Sequence, residues 1–346
     1  MTWPNFPLVS QIDALVISGD FHPPNSISIG VSDCFGVSIT ASRIRFSRPV
    51  SDGQGFEAVN PGARVRFTTN SSRVDILLRY TNLITRQDTY NGVGAVYANG
   101  ALVSIFDRGQ GAASQIIGSY DFGSVASRLI EVEMPYCASV DFEGVYVVAG
   151  SSFSTPPARS ATRYLAIGDS ITHGFNGSSE RLTWPSLLAQ SKGWQLHNHG
   201  YGGRQLTVAD AASALGGMPG APSVATYLIG FNNFYPQTSL TAFRTDYDAF
   251  IASFRAAAPS CKLYCITPTW TNHLPGDGLV VPGSNFIEDY RQKVRDAVAA
   301  AGSSYVILVE GESLAVGNLA HFPDSIHPNA VASSDIATAL ASTMFP

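Results

Sequence analysis

Charge is the scarcest ingredient of this 346-residue chain. Asp, Glu, Lys and Arg together make up 14% of it, against about 25% in an ordinary globular protein. Only Lys192, Lys262 and Lys293 are lysines, and no basic residue precedes Arg43. With a net charge of −5 and no basic cluster, the chain lacks the face that displaces counterions from phosphates, so no nucleic-acid partner is expected. No run of about 18 apolar residues occurs, so no helical membrane span is expected. Without a basic n-region, the chain as written is read without a signal peptide. Cysteine is scarce too, and four are too few for a disulfide scaffold. Cys34 and Cys137 share the first half, where a pairing is open. Cys261 and Cys265 lie four apart on an expected strand, about 13 Å along it. That exceeds disulfide reach, so both are read as buried thiols. The C-x-x-C and C-x-x-x-H patterns of zinc sites are absent. What is plentiful points to a folded protein: 45% hydrophobic and 11% aromatic residues exclude a disordered chain. The length fits two domains of about 150 residues each.

The two halves carry different periodicities. Residues 1–150 read as all-β, with short β-rich runs at Ser42–Val50, Arg64–Thr69, Arg73–Thr81, Gly92–Tyr97, Ala101–Asp107, Arg128–Met134 and Val140–Val148. Arg128–Met134 alternates, with its acids on one face. Asn99-Gly100 between two runs predicts a type I′ hairpin, because both positions need positive φ. Many strands and no convincing helix give a jelly-roll-like β-sandwich; the first 40 residues are expected to wrap over its surface. Residues 151–162 read as a linker. Residues 163–346 alternate strand and helix: strands at Tyr164–Gly168, Gln195–Asn198, Ala225–Ile229, Leu263–Thr267 and Tyr305–Val309, with helices between them. Leu240, Phe243, Tyr247, Phe250, Ile251 and Phe254 form one apolar helical stripe. Such alternation predicts an α/β domain, a parallel sheet with helices on both faces and chemistry at the carboxyl ends of the strands.

Four strand ends carry candidate chemistry. Gly168-Asp169-Ser170-Ile171 places a serine directly after a strand, as an exposed nucleophile or as a helix cap. Asn198-His199-Gly200-Tyr201-Gly202-Gly203 brings backbone N–H groups near a ligand, or is only a tight loop. Gly230-Phe231-Asn232-Asn233 offers an amide donor to a developing oxyanion, or a turn-forming Asn. Asp324-Ser325-Ile326-His327-Pro328 lets a carboxylate reach the imidazole three residues on and orient it as a base. His197 and His199 fall on one face of a strand, as metal ligation requires, but no carboxylate of suitable spacing accompanies them. Asn70-Ser71-Ser72 and Asn176-Gly177-Ser178 fit the glycosylation pattern, a number that chance supplies.

In this order and at these strand ends, the four blocks over residues 163–346 resemble the SGNH (GDSL-type) hydrolase superfamily. The resemblance implies a flavodoxin-like three-layer α/β/α domain and a serine esterase working through an acyl-enzyme. It makes Ser170 the nucleophile, His327 the base and Asp324 its orienting carboxylate. It implies an oxyanion hole from Ser170 N–H, Gly203 N–H and the Asn232 side chain, with Gly202 a rival of Gly203. Asn233 departs from the family's Gly-x-Asn-Asp. No metal or organic cofactor is implied. A β-sandwich ahead of such a domain is similar to the layout of the acetyl esterases of carbohydrate esterase family 2. The expected substrate is therefore an O-acetylated carbohydrate or a small ester, with Trp270, Tyr201, Phe231 and Arg204 as substrate contacts. The alternatives are a general short-chain esterase or lipase, a metal-dependent deacetylase using His197 and His199, and a glycan-binding protein with a relic hydrolase domain. Low charge and a polysaccharide substrate favour a secreted or periplasmic site.

Overall fold

The structure is a computed structural model that describes residues 19–49, 59–83, 92–106 and 114–344. The expected termini of two runs, Val50 and Asp107, lie outside the described residues, as do residues 1–18 of the segment expected to wrap over the surface. The chain divides into two compact units, one up to Arg159 with Ser178–Arg181, the other Ser160–Gly177 with the residues from Leu182 on.

The first unit is built from two antiparallel six-stranded sheets. In one, the strands run in the order Gly36–Ile39, Ile44–Ser47, Ala138–Val148, Arg73–Leu83 and Ser114–Asp121, with Gly19–His22 also pairing with Ala138–Val148. In the other the order is Phe153–Ser154, Arg64–Thr69, Arg128–Glu133, Gly94–Ala98 and Ala101–Phe106, with Gly30–Ser32 pairing with Arg64–Thr69. Inward residues of both sheets, among them Phe67, Ile130, Val132, Ile76, Leu78 and Phe142, share one apolar core, which makes the unit a sandwich. Asn99 and Gly100 turn the hairpin with φ of 50° and 81°, as a type I′ turn requires. Within the 151–162 stretch, Phe153–Ser154 pairs with Thr69 and Thr68.

The acidic face of Arg128–Glu133 is not a solvated one. Glu131 and Glu133 are buried and stand opposite Arg66 and Arg64 on the neighbouring strand. Arg66 Nε lies 2.9 Å from Glu131 and Arg64 2.6 Å from Glu133. Tyr97 adds an O–H donor to Glu133 at 3.0 Å. Cross-strand pairing of opposite charges is what lets these carboxylates leave water.

The second unit holds a five-stranded parallel sheet ordered Gln195–Gly200, Arg163–Gly168, Val224–Leu228, Lys262–Ile266 and Val306–Val309. The chain starts in the second position, steps outward once, then crosses over and continues the other way. The order reverses beside Arg163–Gly168, and ligand crevices form at such a switch point. Trp184–Lys192 and Ala330–Thr343 cover one face, where Trp184, Leu188, Ile336 and Leu340 pack on Tyr164, Leu196 and Ile266. Leu240–Ala257 and Ile287–Ala301 belong to the opposite layer, which is aromatic. Phe250 stacks on Tyr227 at 3.7 Å, and Phe243 meets Tyr290 edge-on at 5.2 Å. The long helix buries Phe243, Tyr247, Phe250, Ile251 and Phe254, the stripe that helical periodicity predicts, with Leu240 at its first turn only half-buried. Ser239 and Asn329 cap their helices by accepting backbone N–H bonds. Among the described residues no helix is long and apolar enough to cross a membrane. Cys34, Cys137, Cys261 and Cys265 are all buried and form no disulfide, so the pairing open to Cys34 and Cys137 is not made.

Candidate active site

Ser170 opens the short helix Ser170–His173, immediately after the first strand of the parallel sheet. Asp169 caps that helix by accepting the Ile171 N–H at 2.9 Å. Glycine at 168 is a steric demand: a Cβ there would lie 2.3 Å from the Leu228 carbonyl oxygen and 2.2 Å from Thr172 Oγ1. Ser170 is 7% exposed, and its N–H is one of the orphan donors of a helix start.

The loop before the last helix brings two residues to this serine. The Ser170 hydroxyl donates to His327 Nε2 at 2.7 Å. His327 Nδ1–H donates to Asp324 Oδ2 at 2.6 Å. The carboxylate accepts only, so it fixes the tautomer and leaves the Nε2 lone pair facing Ser170. Asp324 Oδ1 accepts the backbone N–H groups of Ile326 and His327 at 3.0 and 2.7 Å. Burial would raise this carboxyl, but the His327 hydrogen bond and charge, helped by those two N–H groups, hold it down at about 2. Between them Ser325 adopts a left-handed φ of 65°. Asp169 moves the opposite way: burial raises it to about 6, against the Ile171 N–H bond and the charges of His327 and Arg204.

Asn232 lies on the one-turn helix Phe231–Phe234 after the third strand. Its Nδ2 is buried and makes no hydrogen bond within the protein. Gly203 has a φ of 78°, and a Cβ there would meet nothing within 4 Å. Its backbone conformation, not crowding, therefore calls for glycine; Gly202 shows no positive φ. Asn233, the departure from the family pattern, is buried and accepts the Leu206 N–H at 3.0 Å. It thus ties the Asn232 loop to the Gly203 loop, a task an amide oxygen does as well as a carboxylate.

The aromatic residues expected near substrate divide. Trp270 is half-buried against Phe322 at 5.6 Å, its strand end held by Arg291, which donates to the Pro268 and Thr269 carbonyls. Phe231 is buried and Tyr201 half-buried. Phe175 lies against the His327 ring at 5.5 Å. Arg204, expected as a substrate contact or a solvated surface residue, is not at the surface. It is 2% exposed and donates to Asp210 at 2.8 Å and to the His199 carbonyl at 2.7 Å. A six-residue separation put Asp210 within reach, which composition does not reveal. His199 Nδ1 faces the same guanidinium at 3.0 Å and so serves as an acceptor, not as an open ligand. Among the described residues no group of three or more His, Cys, Asp or Glu is gathered to hold a metal.

Two neighbours of Asp324 escaped the sequence reading. Asn176 Nδ2 donates to Asp324 Oδ2 at 3.1 Å. His273 Nε2 approaches the Asp324 carbonyl at 3.4 Å while its Nδ1 faces Asp277 at 2.7 Å. A histidine and an aspartate four apart in a Pro- and Gly-rich loop were the only signal for the second. Asp277 also accepts from three backbone N–H groups, of Leu274, Leu279 and Val280, and is held well below the usual carboxylate range, mainly by the Val280 N–H and His273.

Comparison with known proteins bears on the family and the fold. Residues 166–332 match the family model of GDSL-like lipases and acylhydrolases. No curated protein matches the chain. Among solved structures, a salicylyl-acyltransferase from a tetracycline biosynthetic pathway is similar over 95% of this chain and 98% of its own, at 18% identity and a TM-score of 0.77. A family two carbohydrate esterase from Clostridium thermocellum, in complex with cellohexaose, is similar over 91% and 98%, at 16% identity and a TM-score of 0.64. An acetyl xylan esterase from the rumen bacterium Butyrivibrio proteoclasticus covers 94% and 97%, at 12% identity and 0.61. At such identities the likeness is one of fold, and it spans both units. Residues 166–332, just under half of the chain, are thus similar to the GDSL-like lipase/acylhydrolase family.

Proposed function

We propose that the protein is a serine esterase that removes O-acetyl groups from a carbohydrate. The observation that carries the esterase reading is the unbroken chain from the Ser170 hydroxyl through His327 to Asp324, at 2.7 and 2.6 Å. His327 Nε2 takes the Ser170 proton as Oγ attacks the ester carbonyl, and Asp324 stabilises the resulting imidazolium. Negative charge then develops on the former carbonyl oxygen. The donors to receive it are the Ser170 N–H, the Gly203 N–H and Asn232 Nδ2, the last a buried amide nitrogen that makes no hydrogen bond within the protein. Such donors act without reorganisation in a site shielded from water. His327 returns the proton to the leaving alcohol, then activates the water that releases acetate. Asn232→Ala is expected to lower kcat by roughly 10²–10³-fold; steady-state kinetics showing a change under threefold would remove Asn232 from this role.

The carbohydrate part rests on the two-unit architecture shared with carbohydrate esterases and on Trp270 as a stacking surface. The same acyl-enzyme can be discharged by an alcohol instead of water, and the fold shared with an acyltransferase makes this the second reading. The test compares wild type with Ser170→Ala on p-nitrophenyl acetate, butyrate and octanoate and on acetylated xylan, with and without a polyol acceptor. Ser170-dependent activity confined to acetyl groups supports the proposal. A preference for octanoate replaces it with a general esterase or lipase. Acylated polyol exceeding free acid favours the transferase. A Ser170→Ala variant as active as wild type removes the serine mechanism.

A further inference from the structure

We infer that Asn176 is a positioning residue for the catalytic carboxylate, an inference that rests on the serine-esterase reading. The chain leaving the nucleophile helix turns at Gly174-Phe175-Asn176-Gly177, closed by a Gly177 N–H bond to the Gly174 carbonyl at 2.9 Å. Asn176, third in the turn, has a φ of 63°, whereas Phe175 has no positive φ. That is the pattern of a type II turn, whose third position takes glycine or asparagine. Glycine satisfies the backbone fully, so the turn alone does not account for a side chain here. The side chain is used: its Nδ2–H donates to Asp324 Oδ2 at 3.1 Å, the oxygen that receives His327 Nδ1–H at 2.6 Å.

The carboxylate of Asp324 thereby holds four donors. Two backbone N–H groups from its own turn take Oδ1, and the imidazole and the Asn176 amide share Oδ2. A carboxylate offers about four lone-pair positions, so every one is occupied and the plane of the group is fixed. The donors on Oδ1 belong to the loop that carries His327 and move with it. Asn176 is the donor that belongs to the nucleophile's side of the site, six residues after Ser170. The same turn presents Phe175 to the His327 ring at 5.5 Å. One turn thus touches both partners of the serine, the ring through Phe175 and the carboxylate through Asn176, and couples the position of the Ser170 helix to that of the Asp324–His327 loop.

Asn176→Gly separates the two roles, because it keeps the left-handed backbone and removes the amide. The expected result is a kcat on p-nitrophenyl acetate lowered about tenfold, with KM within twofold of wild type and an unchanged melting temperature. Outer partners of functional ligands contribute about this much, roughly 10–100-fold. Asn176→Asp keeps shape and backbone tolerance but replaces the donor with a second carboxylate against Asp324, and is expected to lose more than the glycine variant at pH 8. Wild-type kcat in Asn176→Gly overturns the inference. So does a loss matched by a fall in melting temperature and a rise in KM, which marks a structural turn. Ser170→Ala, assayed in parallel, separates this failure from that of the esterase reading: if it keeps wild-type activity, the mechanism itself is wrong; if it is dead while Asn176→Gly is fully active, only the role of Asn176 falls.

Discussion

Asp169 and Asp324 flank the same histidine and are driven apart. Asp324 is held at about 2, so its contribution to stability is present above the unfolded value near 3.8 and fades as pH falls from about 4 to 2. Asp169 is raised to about 6 by burial. The folded state then binds its proton more tightly than the unfolded chain, and stability declines as pH rises from about 4 through 6. About two pK units correspond to roughly 3 kcal/mol. An asparagine side chain caps a helix as well as an aspartate does, so Asp169→Asn is expected to raise the melting temperature at pH 8 and to leave it nearly unchanged at pH 4. Because the Asp169 carboxylate also interacts favourably with the charged form of His327, the variant is expected to lose activity. Thermal melts at both pH values together with kcat check this, and equal melting shifts at both would contradict it. The Asp324–His327 contact was legible because a separation of three residues permits it; Ser170, whose bond to His327 crosses 157 positions, was legible only through its Gly-Asp-Ser motif at a strand end. Asn176 was not, since its bond to Asp324 crosses 148 positions and its Asn-Gly-Ser context resembles a chance glycosylation pattern.

Among the elements, the stretch after the Gln195–Gly200 strand shows how a loop is made rigid without regular structure. Arg204 and Asp210 are both buried and paired. Asp210 also accepts from Tyr227 O–H at 3.0 Å and from Thr207 Oγ1 at 2.8 Å, and Arg204 stacks over Tyr201 at 4.8 Å. Removing one partner leaves the other charge buried, which costs about 3–5 kcal/mol. Arg204→Ala is therefore expected to destabilise by that amount in urea unfolding, and Arg204→Lys to recover only part, because one ammonium cannot reach the acid and the His199 carbonyl together. A loss below about 1 kcal/mol would mean that the pair behaves like a surface one. The parallel strands fall within about two residues of their sequence-based bounds, and the expected stripe lies on one helix, since buried β-runs and the spacing of Phe243, Tyr247 and Phe250 are strong signals. Gly36–Ile39, Ser114–Asp121 and Phe153–Ser154 were not anticipated. Each is an edge strand, and an edge that is polar or partly exposed lacks the apolar alternation by which strands are read.

At the scale of the whole molecule, the four buried thiols divide evenly, Cys34 and Cys137 in the first unit, Cys261 and Cys265 in the second. Burial raises Cys34, Cys261 and Cys265 to about 12, so the reactive thiolate is all but missing at neutral pH. The native protein is expected to resist iodoacetamide at pH 8, and to take up label at all four positions once denatured. Rapid labelling of the native protein would contradict the burial of these thiols. In a urea series read peptide by peptide, the two cysteines of one unit are expected to label at a common midpoint, because each pair lies within one compact unit and such units tend to open cooperatively. Coincident midpoints for both pairs would mean that the units unfold as one body, and separate midpoints that either can open while the other stays closed. The cysteines, inert in the chemistry, thus form a built-in clock for each half of the chain, read without adding a probe or changing a residue.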